Sequence, residues 1–273
     1  MRRQAEPTRP VLASSWLVDT HTHLDEPAFD ADRDEVVGRA IEVGVTNFVN
    51  IAFCPERWRT TRILQKTYPQ ISVAAGLHPN HAADFDATTV DTLRSTLEQS
   101  HGVAVGEIGF DFYRPGYDMA LQRHVFEAQL ALAAEMGLPV VIHQRSAEAA
   151  SVEVLGAAPQ SVPIVLHSFD GTWRLGRMGI ERGYYFGVGG LMTRATATTV
   201  RDILAVVPVE QLLLETDAPY LTPAGVKPRR NEPANIAVVA QHLAELRGTS
   251  VDEIAIKTTE NARRVFGVDI PTG

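Results

Sequence analysis

The chain has 273 residues, 45% hydrophobic and 21% charged, which is the balance of a globular enzyme and fits a single α/β barrel. That length buries a sizeable core without a disulfide or structural metal, and the lone cysteine, Cys54, rules out an internal disulfide and fits a reducing compartment. A formal net charge of -8 argues against a broad nucleic-acid-coating surface but leaves room for a small basic pocket that takes one strand end, and no apolar run approaches the roughly 18–20 residues of a membrane span.

Residues 1–15, "MRRQAEPTRPVLASS", carry Arg2, Arg3 and Arg9 without the apolar stretch of a secretory signal. They are expected to form a flexible extension ahead of a domain over residues 16–273. The first apolar run, 17–20, leads into "VDTHTHLD". On a strand, residues two apart share a side, so His21 and His23 can face one point. Further strand candidates follow at 47–51, 72–75, 103–107, 139–143, 163–167, 184–187 and 212–216. Runs such as "VVIH" and "LLLET" are continuously apolar, as parallel strands buried on both faces are.

Helical spacing fills the intervals. In "YDMALQRHVFEAQLALAAEMG", Leu121, Val125, Ala128, Leu132 and Met136 recur every three or four residues and Gly137 stops the helix. Residues 232–266 read as two closing helices. Eight strands, each followed by helical sequence, predict a (β/α)8 TIM barrel of one domain, with its active site at the C-terminal ends of the strands. An open doubly wound sheet would bring a glycine-rich phosphate loop after the first strand, where this chain has His-Thr-His.

Polar residues collect at that end. His21 and His23 follow the first strand, His78 ("GLHPN") the third, and Glu107 ("GEIGFD") ends the fourth. His143 ends the fifth, His167 the sixth, and Glu215 and Asp217 ("LLLETDAPYL") the eighth. Each alone has a dull explanation as a hydrogen-bonded rim residue or helix cap. Together, five of nine histidines and three carboxylates fall on one rim, which points to a metal site. Four imidazoles with Glu107 and Asp217 exceed the three protein ligands of one catalytic zinc. They suit two divalent ions roughly 3.5–4 Å apart, with Glu107 as bridge, that activate a water for attack on phosphorus. Mg²⁺ or Mn²⁺ fits the carboxylates, and the imidazoles also admit Zn²⁺.

From residue 18 to about 267 the chain resembles the TatD family of metal-dependent deoxyribonucleases, within the wider amidohydrolase-like barrels. The motifs "DTHTHLD", "GLHP", "GEIGFD", "QRHVFEAQLALA", "LPVVIHQR", "HSFDG", "ETDAPYL", "RNEPANI" and "NARRVFG" carry the resemblance, in family order. It implies that His21, His23, Glu107, His143, His167 and Asp217 hold two divalent metals, and it places His78 at the active site. Departures are small: Thr22 stands where relatives often have Cys and should point away from the site, and Phe110 stands where Leu is usual. Asp217 is the candidate general base, and Glu215 is expected to orient it from behind.

Arg145, two residues after His143, and Arg230 in "KPRRNEP" are candidate phosphate contacts, with Lys227 and Arg229 weaker ones. Tyr220 and Phe112 are candidates to stack on a base. The resemblance implies a phosphodiesterase that removes nucleotides from single-stranded DNA ends, from 3′ to 5′. A cytoplasmic monomer with no membrane and no obligatory protein partner is expected. The competing readings are an amide, ester or lactone hydrolase of the wider superfamily and a binding protein with a vestigial site. Many such hydrolases bridge their metals with a modified lysine where this chain has Glu107, and every expected ligand is present, so both are disfavoured.

Overall fold

The structure, a computed structural model, describes residues 16–227 and 230–268. The expected extension over 1–15 lies outside the described residues. All eight expected strands form: β1 (Leu17–Thr22), β2 (Val45–Ala52), β3 (Ile71–Ala75), β4 (Ala104–Asp111), β5 (Val140–Arg145), β6 (Ile164–Leu166), β7 (Tyr185–Val188) and β8 (Leu212–Leu214). Their neighbours are parallel and in chain order from β1 to β8. The helices α1 (Arg33–Glu42), α2 (Pro55–Thr67), α3 (Thr89–Ser100), α4 (Met119–Met136), α5 (Glu148–Ala157), α6 (Trp173–Arg182) and α7 (Thr198–Leu204) join successive strands. After β8 come α8 (Ile236–Arg247) and α9 (Val251–Phe266), the two helices anticipated over 232–266. The fold is a (β/α)8 barrel.

The barrel closes where β1 ends. Thr22 forms a parallel bridge with Ala218. The Asp217 N–H donates to the His21 carbonyl and the His23 N–H to the Ala218 carbonyl, both at 2.8 Å. Three anticipated ligands are thus stitched together by the backbone of the seam. Inside, Val18, Ile51, Ala74, Val141, Val165 and Leu213 form an apolar cluster with Ala262, Val265 and Phe266 of α9. That helix seals the interior at the end opposite the C-terminal rim of the strands. The outward faces of the strands pack on the surrounding helices, which is why β1 and β4 are buried at every position.

Local signals set the helix ends. The Asp118 carboxylate accepts the Leu121 N–H at 3.0 Å at the start of α4, and Gly137 ends it in the left-handed region at φ 67°. β4 runs four residues beyond the expected end at Glu107. Gly109 permits this: a Cβ there would stand 2.1 Å from the His143 carbonyl oxygen, so only glycine lets β4 stay paired with β5 as far as Asp111. Asp111 is thereby carried to the rim. β6 and β8 stop short of expectation, and His167, Glu215 and Asp217 stand on the turns just beyond them.

Candidate metal centre

Four imidazoles and two carboxylates converge above the strand ends. Asp217 Oδ1 lies 3.2 Å from His23 Nε2 and 3.6 Å from His21 Nε2. Glu107 reaches both ways: Oε2 is 3.5 Å from His21 Nε2, while Oε1 is 2.5 Å from His143 Nδ1. His167 Nε2 stands 3.8 Å from Glu107 Oε1 and 3.8 Å from Asp217 Oδ1. Donors bound at about 2.0–2.2 Å from one ion are separated by roughly 3–3.5 Å, so these spacings suit shared cations. His21 is wholly buried, its ring stacked on His167 at 3.4 Å, and among the described residues neither of its nitrogens has a hydrogen-bond partner. An orphaned buried imidazole among carboxylates is the donor set a divalent ion requires.

Hydrogen bonds from behind decide which nitrogen of each ring is free. The His23 Nδ1–H has the Ile51 carbonyl at 3.1 Å, which leaves Nε2 to face Asp217 Oδ1 at 3.2 Å, as a donor while protonated and as a free lone pair once a metal displaces that proton. Glu215 Oε1 stands 2.9 Å from His167 Nδ1 and accepts the Ser168 N–H at 2.6 Å. Asp111 Oδ2 stands 3.3 Å from His143 Nε2, opposite the nitrogen that faces Glu107. His78 is arranged the other way. Its Nδ1 accepts the Asn80 N–H at 3.1 Å, so the ring proton sits on Nε2, which points toward Glu107 Oε1 at 3.9 Å. His78, Glu107 and His143 lie close enough together to look like a metal triad. A protonated Nε2 cannot ligate, so in this hydrogen-bonding state His78 faces the site as a hydrogen-bond donor.

Electrostatics follow the same division. Burial opposes charge on Glu107, but His167 and His143 outweigh it and hold its carboxyl well below the usual carboxylate range. Asp217 is also buried, yet the His23 hydrogen bond and the neighbouring imidazoles keep it below its ordinary value. Burial lowers His143 and His167, but the surrounding carboxylates win and lift them to about 9 and about 10. Burial and the His143 charge push His78 down to about 3, so it is neutral. Asp217 and Ser168 adopt left-handed backbone at φ 57° and 42°, held by the seam hydrogen bonds and by Glu215.

The centre lies in a cleft of about 460 Å³ that His78, Arg145 and Tyr220 also line. Tyr220 is 49% exposed, 5.7 Å from the His23 ring. Thr22 does not line the cleft; it is buried beside the Ala218 carbonyl. Two expectations are corrected. Arg230 does not line the cleft: its guanidinium grips both oxygens of Asp32 at 2.7 and 2.6 Å and donates to the Ala28 carbonyl. Phe112 stacks on Tyr117 at 4.5 Å and packs against the core, away from the cleft. Lys227 does not line it either, and Arg229 lies outside the described residues.

Two carboxylates escaped the sequence reading. Asp111 is one. The other is Asp19, buried on β1, which accepts the Thr216 N–H at 3.0 Å and the Thr216 hydroxyl at 2.6 Å and so ties β1 to the turn after β8. Burial pushes its carboxyl up to about 8. The signal was present: Asp19, His21 and His23 share one two-residue period.

The family model for TatD-related DNases matches residues 18–267. A Bacillus subtilis protein described as an uncharacterized metal-dependent hydrolase, YabD, is 34% identical over 93% of this chain and 100% of its own length. The Erwinia tasmaniensis 3′-5′ ssDNA/RNA exonuclease TatD is 36% identical over 92% of this chain and 100% of its own. The crystal structure of YJJV, a TatD homolog from Escherichia coli K12, superposes with a TM-score of 0.86 at 33% identity, covering 93% of this chain and 98% of that one. With the fold, the donor set and the whole-length match in agreement, this chain belongs to the family of TatD-related DNases.

Proposed function

We propose that the protein hydrolyses phosphodiester links at the 3′ end of single-stranded nucleic acid, using two divalent ions, Mg²⁺ or Mn²⁺ by preference with Zn²⁺ admissible. The observation that carries this reading is the reach of Glu107, whose two oxygens face two separate donor groups. His21, His23 and Asp217 gather on one side and His143 on the other, while His167 Nε2 stands between them, 3.8 Å from both Glu107 Oε1 and Asp217 Oδ1. Two ions held there would supply the positive charge that acidifies an attacking water and stabilises the oxygens of an in-line displacement at phosphorus.

The chain's own groups do the rest. Asp217 is held ionised and faces the cleft, where it can accept the water's proton as attack proceeds. His78, neutral and with its proton on Nε2, can donate a hydrogen bond to a phosphate oxygen without changing charge. Glu215 and Asp111 fix the rings of His167 and His143. Arg145 faces the same cleft and suits a substrate phosphate. The cleft is of a size for a nucleotide at a strand end rather than a duplex.

One chain provides all six ligands, which supports a monomer with no obligatory protein partner. Cys54 is a free, buried thiol, in keeping with a cytoplasmic protein. Among the described residues no helix is long and apolar enough to cross a membrane. Digestion of single-stranded oligonucleotides labelled at either end, with Mg²⁺, Mn²⁺ or Zn²⁺, tests the proposal. A 3′ label should leave at once as mononucleotide while a 5′ label reports progressive shortening. Release from the 5′ end first, equal cutting of closed circles, or faster turnover of amides and esters than of p-nitrophenyl phosphodiesters would overturn it.

A further inference from the structure

Arg114, Arg145 and Arg194 come from three separate places on the rim. They lie on the loop after β4, the last position of β5, and the loop after β7. All three line the cleft and all are exposed. Among the described residues none has a carboxylate in ion-pair range, unlike Arg33, Arg39, Arg57, Arg94, Arg123 and Arg230, and other unpaired arginines such as Arg59, Arg174 and Arg263 do not line the cleft. A chain of net charge -8 thus leaves three guanidinium groups free around one opening. Arg145 is also held in place. Its guanidinium carbon sits 3.8 Å from the centroid of the Tyr113 ring, so its face is covered and its N–H edge is left to donate. Tyr113 is 64% exposed and is anchored by its N–H to Asp111 Oδ1 at 3.0 Å. The other oxygen of Asp111 contacts His143 and Asn80. The stacked pair is therefore braced against the metal centre itself.

We infer that these three arginines form a subsite for a second backbone phosphate, adjacent to the one that is cut. The enzyme then takes strands of at least two phosphodiester links in preference to isolated diesters, and Tyr113 is a positioning residue for Arg145. This rests on the nuclease reading above.

The test is a kcat/KM comparison on a trinucleotide whose non-scissile phosphate is either native or a neutral methylphosphonate. Wild type should lose about 10- to 100-fold on the neutral substrate, the worth of one or two charge-assisted hydrogen bonds. In the combined Arg114→Gln, Arg145→Gln, Arg194→Gln variant that penalty should largely disappear, and in Arg145→Gln alone it should shrink. Tyr113→Ala should shrink it as well, while Tyr113→Phe, which keeps the ring, restores it. A wild type indifferent to the methylphosphonate, or a combined variant that keeps the full penalty, would overturn the subsite. A wild type that cannot cut the native trinucleotide would instead reject the nuclease reading.

Discussion

Gly187 on β7 offers no side chain to a metal, yet Gly187→Ala should weaken metal binding. A Cβ at this position would lie 2.2 Å from Glu215 Oε2 and 2.7 Å from its Cδ, far inside contact distance. Glu215 is 1% exposed and has nowhere to retreat. It must turn, giving up the Ser168 N–H at 2.6 Å and His167 Nδ1 at 2.9 Å. Two charge-assisted contacts at about 1.5–3 kcal/mol each imply roughly 3–6 kcal/mol of lost stability if both break. Freeing the ring that presents His167 Nε2 should lower metal affinity by about 10- to 100-fold, the usual loss when a carboxylate behind a ligating histidine is removed. Gly189, two residues on, is the control. A Cβ there meets Glu215 no closer than 3.5 Å, an ordinary contact, so Gly189→Ala should leave metal affinity close to wild type. Chelator competition measures the affinity and thermal unfolding the stability. Wild-type values of both in Gly187→Ala would refute the role given to Glu215.

Asp217→Asn keeps the shape and one oxygen of the side chain but removes the proton acceptor. Its kcat under saturating metal should fall about 10²- to 10⁴-fold, with substrate binding changed far less; near-normal turnover would take Asp217 out of the mechanism. In protein stripped by chelator, His143 and His167 have folded values raised to about 9 and about 10, above the ordinary 6.5. Their contribution to stability is full below pH 6.5 and is lost as pH rises through 9 to 10, so the Tm with chelator should fall across that window. A flat or rising Tm would contradict the assignment. Metal must displace those protons, so metal affinity should rise with pH. Arg230→Ala breaks a partly exposed pair with Asp32 and should cost about 0.5–1 kcal/mol of stability while turnover is unaffected; a large loss of activity would return Arg230 to the substrate site.

The strands and their order were legible because parallel strands buried on both faces leave continuous apolar runs. The convergence of the candidate ligands was legible because a barrel sends every strand end to one rim, so scattered histidines become neighbours. Asp111 was hidden because the length of β4 depends on a close backbone approach at Gly109, which has no periodic signature. The fate of Arg230 was hidden for another reason. Its partner Asp32 is 198 residues away in the chain, and only the folded barrel brings the two together. Arg114 and Arg194 sit in loops without spacing rules, and what marks them is their place beside Arg145 on the wall of one cleft, visible only in three dimensions. Asp19 was within reach, one step back along the period that exposed His21 and His23.

A count of bound metal tests most directly whether one centre is built around a shared Glu107. Dialysed wild type titrated with Mn²⁺ should bind two ions per chain. The His21→Ala, His23→Ala double variant, still folded because the barrel does not rest on its rim ligands, should bind one and lose nearly all turnover. A wild type that saturates with a single ion, or a double variant whose metal content is unchanged, would contradict the account.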